Sequence, residues 1–152
     1  MSTRTIMFVC TGNVCRSPMA EYLLRHRLPR GSEWAVCSAG TSTGFGMPAS
    51  LFAATALDEE RIDLSPHQSR PLTRELVDAA SLIVVMTSRH RDFIKATYPD
   101  AAEKIFMLKS FDPIGGGDVD DPIGLTLETY RQIRDEIDRA LPGLMSFMET
   151  LE

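Results

Sequence analysis

Two stretches of this chain, Thr5–Val9 and Ser81–Met86, are apolar almost throughout and have the length of strands rather than helices. A strand without polar alternates is buried on both faces, which places it inside a sheet that helices cover on either side. The segments between and after them carry helical spacing. Pro18–Leu28 shows it through Met19, Tyr22, Leu23 and Leu28, and Pro48–Leu57, Arg74–Ala79, Arg89–Thr97 and Thr126–Leu151 follow. Trp34–Ser38 and Ile105–Leu108 add two further strands. Strands alternating with helices predict an α/β domain over residues 1–152, built on a parallel sheet with helices on both faces. In the last helix Leu127, Tyr130, Ile133, Ile137, Leu141, Leu144, Phe147 and Leu151 form one apolar stripe, and Pro142 predicts a kink or a division.

Net charge is −5, so binding of nucleic acid by overall charge is not expected and any anion must be held locally. The three cysteines, Cys10, Cys15 and Cys37, are odd in number and lack Cys-x2-Cys spacing, which speaks against a disulfide framework and against zinc. Cys37 lies within a predicted strand and reads as structural. The apolar run Ile6–Cys10 is too short for a signal peptide or a membrane span. A cytoplasmic location without membrane contact is the expectation.

Ligands of such sheets bind beyond the carboxyl ends of the strands, where the segment Cys10–Ser17 follows the first strand. It contains Cys10 and Arg16 in a Cys-x5-Arg spacing. That spacing alone is weak, since about 0.25 chance matches are expected from this composition. Its context is not: Gly12 and Asn13 tolerate unusual backbone angles, and Ser17-Pro18 opens a helix. Strand, tight loop and helix N-terminus make an anion cradle of inward N–H groups, formed by Thr11, Gly12, Asn13, Val14, Cys15, Arg16 and Ser17. The cradle and Arg16 favour Cys10 as thiolate, the nucleophilic form. Arg16 can fork onto two phosphoryl oxygens. Ser17 either donates to the Cys10 thiolate or caps the helix.

Hydrolysis also needs a general acid for the leaving atom, which then serves as base for water. The stretch Phe111–Gly124, FDPIGGGDVDDPIG, is a loop between the last strand and the last helix and offers Asp112, Asp118, Asp120 and Asp121. Spacing does not choose among them.

The segment FVCTGNVCRSPMAE, Phe8–Glu21, resembles the signature of the low-molecular-weight protein tyrosine phosphatase family. The likeness continues through Ser38-Ala39-Gly40, His67-Gln68-Ser69-Arg70, Val85-Met86-Thr87 and Asp121-Pro122. It implies a four-stranded parallel sheet and neither metal nor cofactor. It also implies Cys10 as nucleophile, Arg16 as phosphoryl binder and Asp121 as general acid; Asp112-Pro113 stands too early before the last helix to match. Asn13, Ser17 and His67 match a polar network that supports the loop, and Cys15 matches a second cysteine able to protect Cys10 as a reversible disulfide.

The implied partner is a phosphorylated protein. Thr11 in CTGN and the stretch GDVDDPIG look like the bacterial protein arginine phosphatase branch, in which that hydroxyl is associated with selecting phosphoarginine. Phosphotyrosine enzymes of the family usually carry a larger aliphatic residue after the nucleophile and two aromatic residues after Asp-Pro. Here Thr11 and Ile123-Gly124 stand instead, and Ile123 also replaces an aromatic residue typical of the arginine branch. The reading favours phosphoarginine, with Thr11 and Ile123 selecting substrate. Two alternatives are an arsenate reductase on the same scaffold, which needs late cysteines although none follows Cys37, and a non-catalytic phosphate-binding module, which needs no acid.

Overall fold

The computed structural model describes residues 3–152. Four strands, β1 (Arg4–Cys10), β2 (Trp34–Gly40), β3 (Leu82–Val85) and β4 (Ile105–Met107), form a wholly parallel sheet in the order β2-β1-β3-β4. The helices are α1 (Arg16–Arg27), α2 (Leu51–Asp58), α3 (Arg74–Ala79), α4 (Ser88–Thr97) and α5 (Leu127–Thr150). The expected architecture is present, and the unbroken apolar runs have their cause in it. Ile6 and Phe8 of β1, with Leu82 and Val84, pack on α1, α2 and α5 through Met19, Leu24, Leu57, Ile137 and Leu144. Met7 and Val9, with Ile83 and Val85, pack on the opposite side against Val77 of α3 and Ile94 of α4. No helix among the described residues is long and apolar enough to cross a membrane.

The chain leaves β1 over one face, by α1, and leaves β3 over the other, by α4. Adjacent parallel strands whose connections part in this way open a crevice at their carboxyl ends. Cys10 and Thr11 form one lip of it, and Met86 to His90 form the other.

Several local boundaries differ from expectation. Helix α1 starts at Arg16, two residues before Pro18, because proline is accommodated anywhere in a first turn that has no N–H partner to lose. Arg16 and Ser17 are thereby held in a helical turn. Helix α2 starts at Leu51, with Ser50 as its cap accepting from the Ala53 N–H, and β2 continues to Gly40. Pro142 does not divide α5, which runs unbroken to Thr150. Its neighbours Leu141 and Leu144 are fully buried, and Gly143 presses so closely on the Phe111 carbonyl that a Cβ would lie 2.5 Å from the oxygen. Packing on both sides of the proline outweighs one lost backbone bond.

Gly40 matters for the crevice. A Cβ there would stand 2.6 Å from the Thr11 carbonyl oxygen, 2.7 Å from Thr43 Cγ2 and 3.1 Å from Asn13 Cβ. Glycine lets β2 support the loop after β1 from directly beneath. Gly40→Ala is expected to destabilise the fold by about 1–3 kcal/mol through overpacking against the loop after β1. Urea unfolding monitored by circular dichroism checks this, and parental stability would refute this account of Gly40.

Candidate active site

The loop between β1 and α1 is shaped by Asn13. Its backbone adopts φ 56°, a left-handed turn that asparagine accepts at little cost. The Asn13 N–H then points at Cys10 Sγ, 3.3 Å away. Its side-chain oxygen accepts from the Arg70 backbone N–H at 3.0 Å, which settles the orientation of the amide, because a backbone N–H only donates. The Nδ2 group therefore donates twice, to Ser17 Oγ at 2.8 Å and Ser38 Oγ at 3.0 Å. Ser38 passes its own proton to the Glu21 carboxylate at 2.7 Å. Ser17 Oγ, already an acceptor, has its proton free for Cys10 Sγ at 2.9 Å. His67 Nε2 donates to the Asn13 carbonyl at 2.7 Å and holds the turn from behind.

Further pairing turns the outer side of the loop outward. The Thr41 N–H bonds the Cys10 carbonyl at 2.9 Å, and the Ser42 N–H bonds the Thr11 carbonyl at 3.0 Å. The N–H groups of Gly12, Val14 and Cys15 have no partner among the described residues. Unpaired amides grouped at a helix N-terminus suit an anion.

Arg16 is buried, donates from one terminal nitrogen to the Val119 carbonyl at 3.0 Å and brings the other within 3.5 Å of Asp121 Oδ2. Its Nε is buried and has no hydrogen-bond partner among the described residues. One nitrogen thus anchors the guanidinium, a second faces Asp121, and Nε is left for an anion in the loop.

The four aspartates that spacing left open are separated by their contacts. Asp112 is buried, forms a paired hydrogen bond with Arg139 of α5 (2.8 Å for one arm) and bonds the Ile114 N–H. The Arg139 guanidinium holds its carboxyl below the usual range, so it is an internal brace. Asp118 accepts from the Ser88 N–H at the start of α4. Asp120 is exposed at the rim. Asp121 is the one beside Arg16; its Oδ1 accepts from the Ile123 N–H at 3.1 Å, leaving Oδ2 toward the loop. A cleft of about 220 Å³ is lined by Cys10, Thr11, Val14, Arg16, Asp121 and Ile123 among others.

Two residues that position this site are absent from the sequence reading, and only His90 has a local pattern that marks it. Val119 is buried, donates its N–H to the Met86 carbonyl at 2.8 Å and accepts from Arg16, which pins the Asp-rich loop across the sheet end. His90 is buried at α4. Its Nδ1 accepts from the Thr87 N–H at 3.2 Å, while Nε2 lies 2.9 Å from Thr11 Oγ1. Thr87 and His90 form a reciprocal helix cap, and T-x-x-H at the start of a helical run is the pattern that would have disclosed it.

Cys15, the N-cap of α1, contacts Ser50 Oγ at 3.2 Å and the Tyr130 hydroxyl at 3.4 Å. Burial pushes its thiol up, and burial likewise pushes the Tyr130 phenol up to about 12. Cys15 rests as a neutral thiol. Cys37 is a half-buried free thiol in β2, also pushed up by burial.

A thiol, a guanidinium and a carboxylate around one loop of free amides, at the end of a central parallel strand, define a cysteine-dependent phosphatase. Comparison with known proteins gives the family. The sequence profile of low molecular weight phosphotyrosine protein phosphatases matches residues 5–152, and the chain belongs to this family. It is 41% identical over 145 residues to a protein-arginine-phosphatase of Geobacillus stearothermophilus, covering 95% of this chain and 96% of that one. It is 40% identical over 138 residues to the probable low molecular weight protein-tyrosine-phosphatase EpsP of Ralstonia solanacearum, covering 91% of each. The solved structure of a YwlE arginine phosphatase mutant with a phosphorylated active-site serine superimposes with a TM-score of 0.87 at 38% identity, covering 95% of both chains.

His90 also predicts a pH effect. Burial, with the nearby Arg16 charge, lowers its pKa from 6.5 to about 4. The unfolded chain takes up this proton as pH falls through 6.5, whereas the folded chain does so only near 4. The stability linked to His90 is therefore complete above 6.5 and is lost as pH falls toward 4. Urea unfolding free energies measured across that window should fall more steeply for the parent than for His90→Asn; equal slopes would contradict the shift.

Proposed function

We propose that this protein hydrolyses phosphorylated side chains of proteins in the cytoplasm, with Cys10 as nucleophile, Arg16 as phosphoryl clamp and Asp121 as general acid and base. The observation that carries the reading is the shared cleft: a Cys10 Sγ that accepts from Asn13 and Ser17, free loop amides, and a buried Arg16 Nε without a partner. In the first step Cys10 Sγ attacks phosphorus, the bond to the leaving oxygen or nitrogen breaks, and Asp121 gives that atom a proton. The loop amides and Arg16 stabilise the charge of the transferring group. In the second step Asp121 takes a proton from water, which attacks the phosphocysteine and releases phosphate and the Cys10 thiolate. Three free thiols suit a reducing compartment.

For the substrate we infer phosphoarginine. Support comes from the kinship with protein-arginine-phosphatases, from Thr11 at the lip of the cleft, and from the lack of an aromatic pair after Asp121-Pro122. The carboxylates of Asp120 and Asp121 at the rim also suit a cationic guanidinium. One observation favours phosphotyrosine instead: Val14 and Ile123 give the cleft apolar walls that suit a ring. Cys15 is proposed as the protecting thiol. After peroxide converts the Cys10 thiolate to a sulfenic acid, the Cys15 thiol displaces water to form a disulfide.

Turnover of para-nitrophenyl phosphate should vanish in Cys10→Ser and fall about 100-fold in Asp121→Asn. Tight phosphate binding without turnover by the parent would favour a binding module. Comparing kcat/KM on phosphoarginine and phosphotyrosine peptides decides the substrate, and a tenfold preference for phosphotyrosine would overturn the phosphoarginine reading. Mass mapping after peroxide treatment should find Cys10 joined to Cys15; a Cys10 oxidised without that bond would refute the protective role.

A further inference from the structure

We propose that His90 is a positioning residue: its Nε2–H holds the Thr11 hydroxyl as a hydrogen-bond donor directed into the reaction cleft. The proposal rests on the phosphatase reading of that cleft and adds a residue to it.

The argument begins with the two ring nitrogens. The Thr87 backbone N–H reaches His90 Nδ1 at 3.2 Å, so in the neutral ring Nδ1 is the acceptor and Nε2 carries the proton. The ring stays neutral at ordinary pH, because burial and the Arg16 charge oppose the imidazolium. Nε2 lies 2.9 Å from Thr11 Oγ1 and must donate to it. Thr11 thus accepts from behind, and its own proton is directed away from His90. Thr11 lines both the 220 Å³ cleft with Cys10 and Asp121 and an adjoining cleft of about 640 Å³ that His90 itself lines. Its exposed side chain stands next to the nucleophile in the chain.

The contact also joins the two lips of the crevice. Thr11 belongs to the loop that leaves β1 over one face of the sheet, and His90 to the helix that leaves β3 over the other. A β-branched side chain has few rotamers, and one strong acceptor bond selects among them. The hydroxyl is thereby held by a helix from the opposite lip.

His90 has a competing, purely structural duty in the Thr87 cap, and the two duties use different nitrogens. The side chains that imitate each nitrogen therefore separate them. Asparagine places an acceptor near the Nδ1 position and keeps the cap, but does not reach Thr11. Glutamine places a donor near the Nε2 position and keeps the reach.

The test measures kcat and KM for the parent, Thr11→Val, Thr11→Ser, His90→Asn, His90→Gln and the double variant Thr11→Val with His90→Asn. Substrates are para-nitrophenyl phosphate and the two phosphopeptides. Positioning predicts that Thr11→Val and His90→Asn each lose about five- to tenfold in kcat/KM on the preferred peptide. The double variant should lose no more than Thr11→Val alone, because the effect of His90 passes through the hydroxyl. Thr11→Ser and His90→Gln should stay within about twofold of the parent. Additive losses, or parental kinetics in His90→Asn with a loss in His90→Gln, would overturn the proposal. Imidazole ¹⁵N spectra give a readout independent of folding in the variants: the parent should show the Nε2–H form at neutral pH, and the Nδ1–H form would overturn it. Failure of the underlying reading is seen separately, as para-nitrophenyl phosphate turnover that does not depend on Cys10.

Discussion

The site depends on one amide. Asn13 turns the chain at φ 56° and engages every one of its polar groups at once: the N–H to Cys10, the carbonyl to His67, the side-chain oxygen to Arg70, and two N–H bonds to Ser17 and Ser38. The partners come from β1, α1, β2 and the segment between α2 and α3. Because Arg70 fixes which end of the amide is oxygen, every later proton in the chain of bonds has a direction, from Ser38 to Glu21 and from Ser17 to Cys10. A buried network whose members are all satisfied is rigid, and it holds Cys10 and the first turn of α1 in a fixed relation.

Two cysteines stand five residues apart in the same loop and are kept chemically distinct. Cys10 closes a strand and receives donors from the turn. Cys15 begins a helix, sits among Ser50 and Tyr130, and is held as a thiol by burial. Arg16 is likewise divided in its duties, since the bond to the Val119 carbonyl orients the guanidinium before any anion arrives. Such preorganisation places the cost of ordering in the fold rather than in the reaction.

Much of this was legible from residues alone, for identifiable reasons. Apolar runs such as Ile6–Val9 state their burial directly, and the Cys-x5-Arg loop between a strand and Ser17-Pro18 has one natural place in a parallel sheet. What escaped was tertiary. Spacing does not distinguish Asp112 from Asp121, and only the family resemblance separates them; Arg139, far along the chain, makes the first a brace. Pro142 reads as a break until Leu141, Leu144 and the Phe111 contact are seen to hold the helix on both sides. His90 reads as one more residue on a polar helix face, because its partner Thr11 lies on another element. Helix α1 starts two residues before Pro18, since proline marks a first turn without saying which position in it.

The Val119 peptide joins three segments that the chain keeps far apart: its N–H closes on the end of β3, and its carbonyl closes on the first turn of α1. Arg16 and Asp121 consequently stand side by side only where the Asp-rich loop is docked on the sheet end. Local opening of that one surface segment would part Asp121 from Arg16 while the sheet and its helices stay paired.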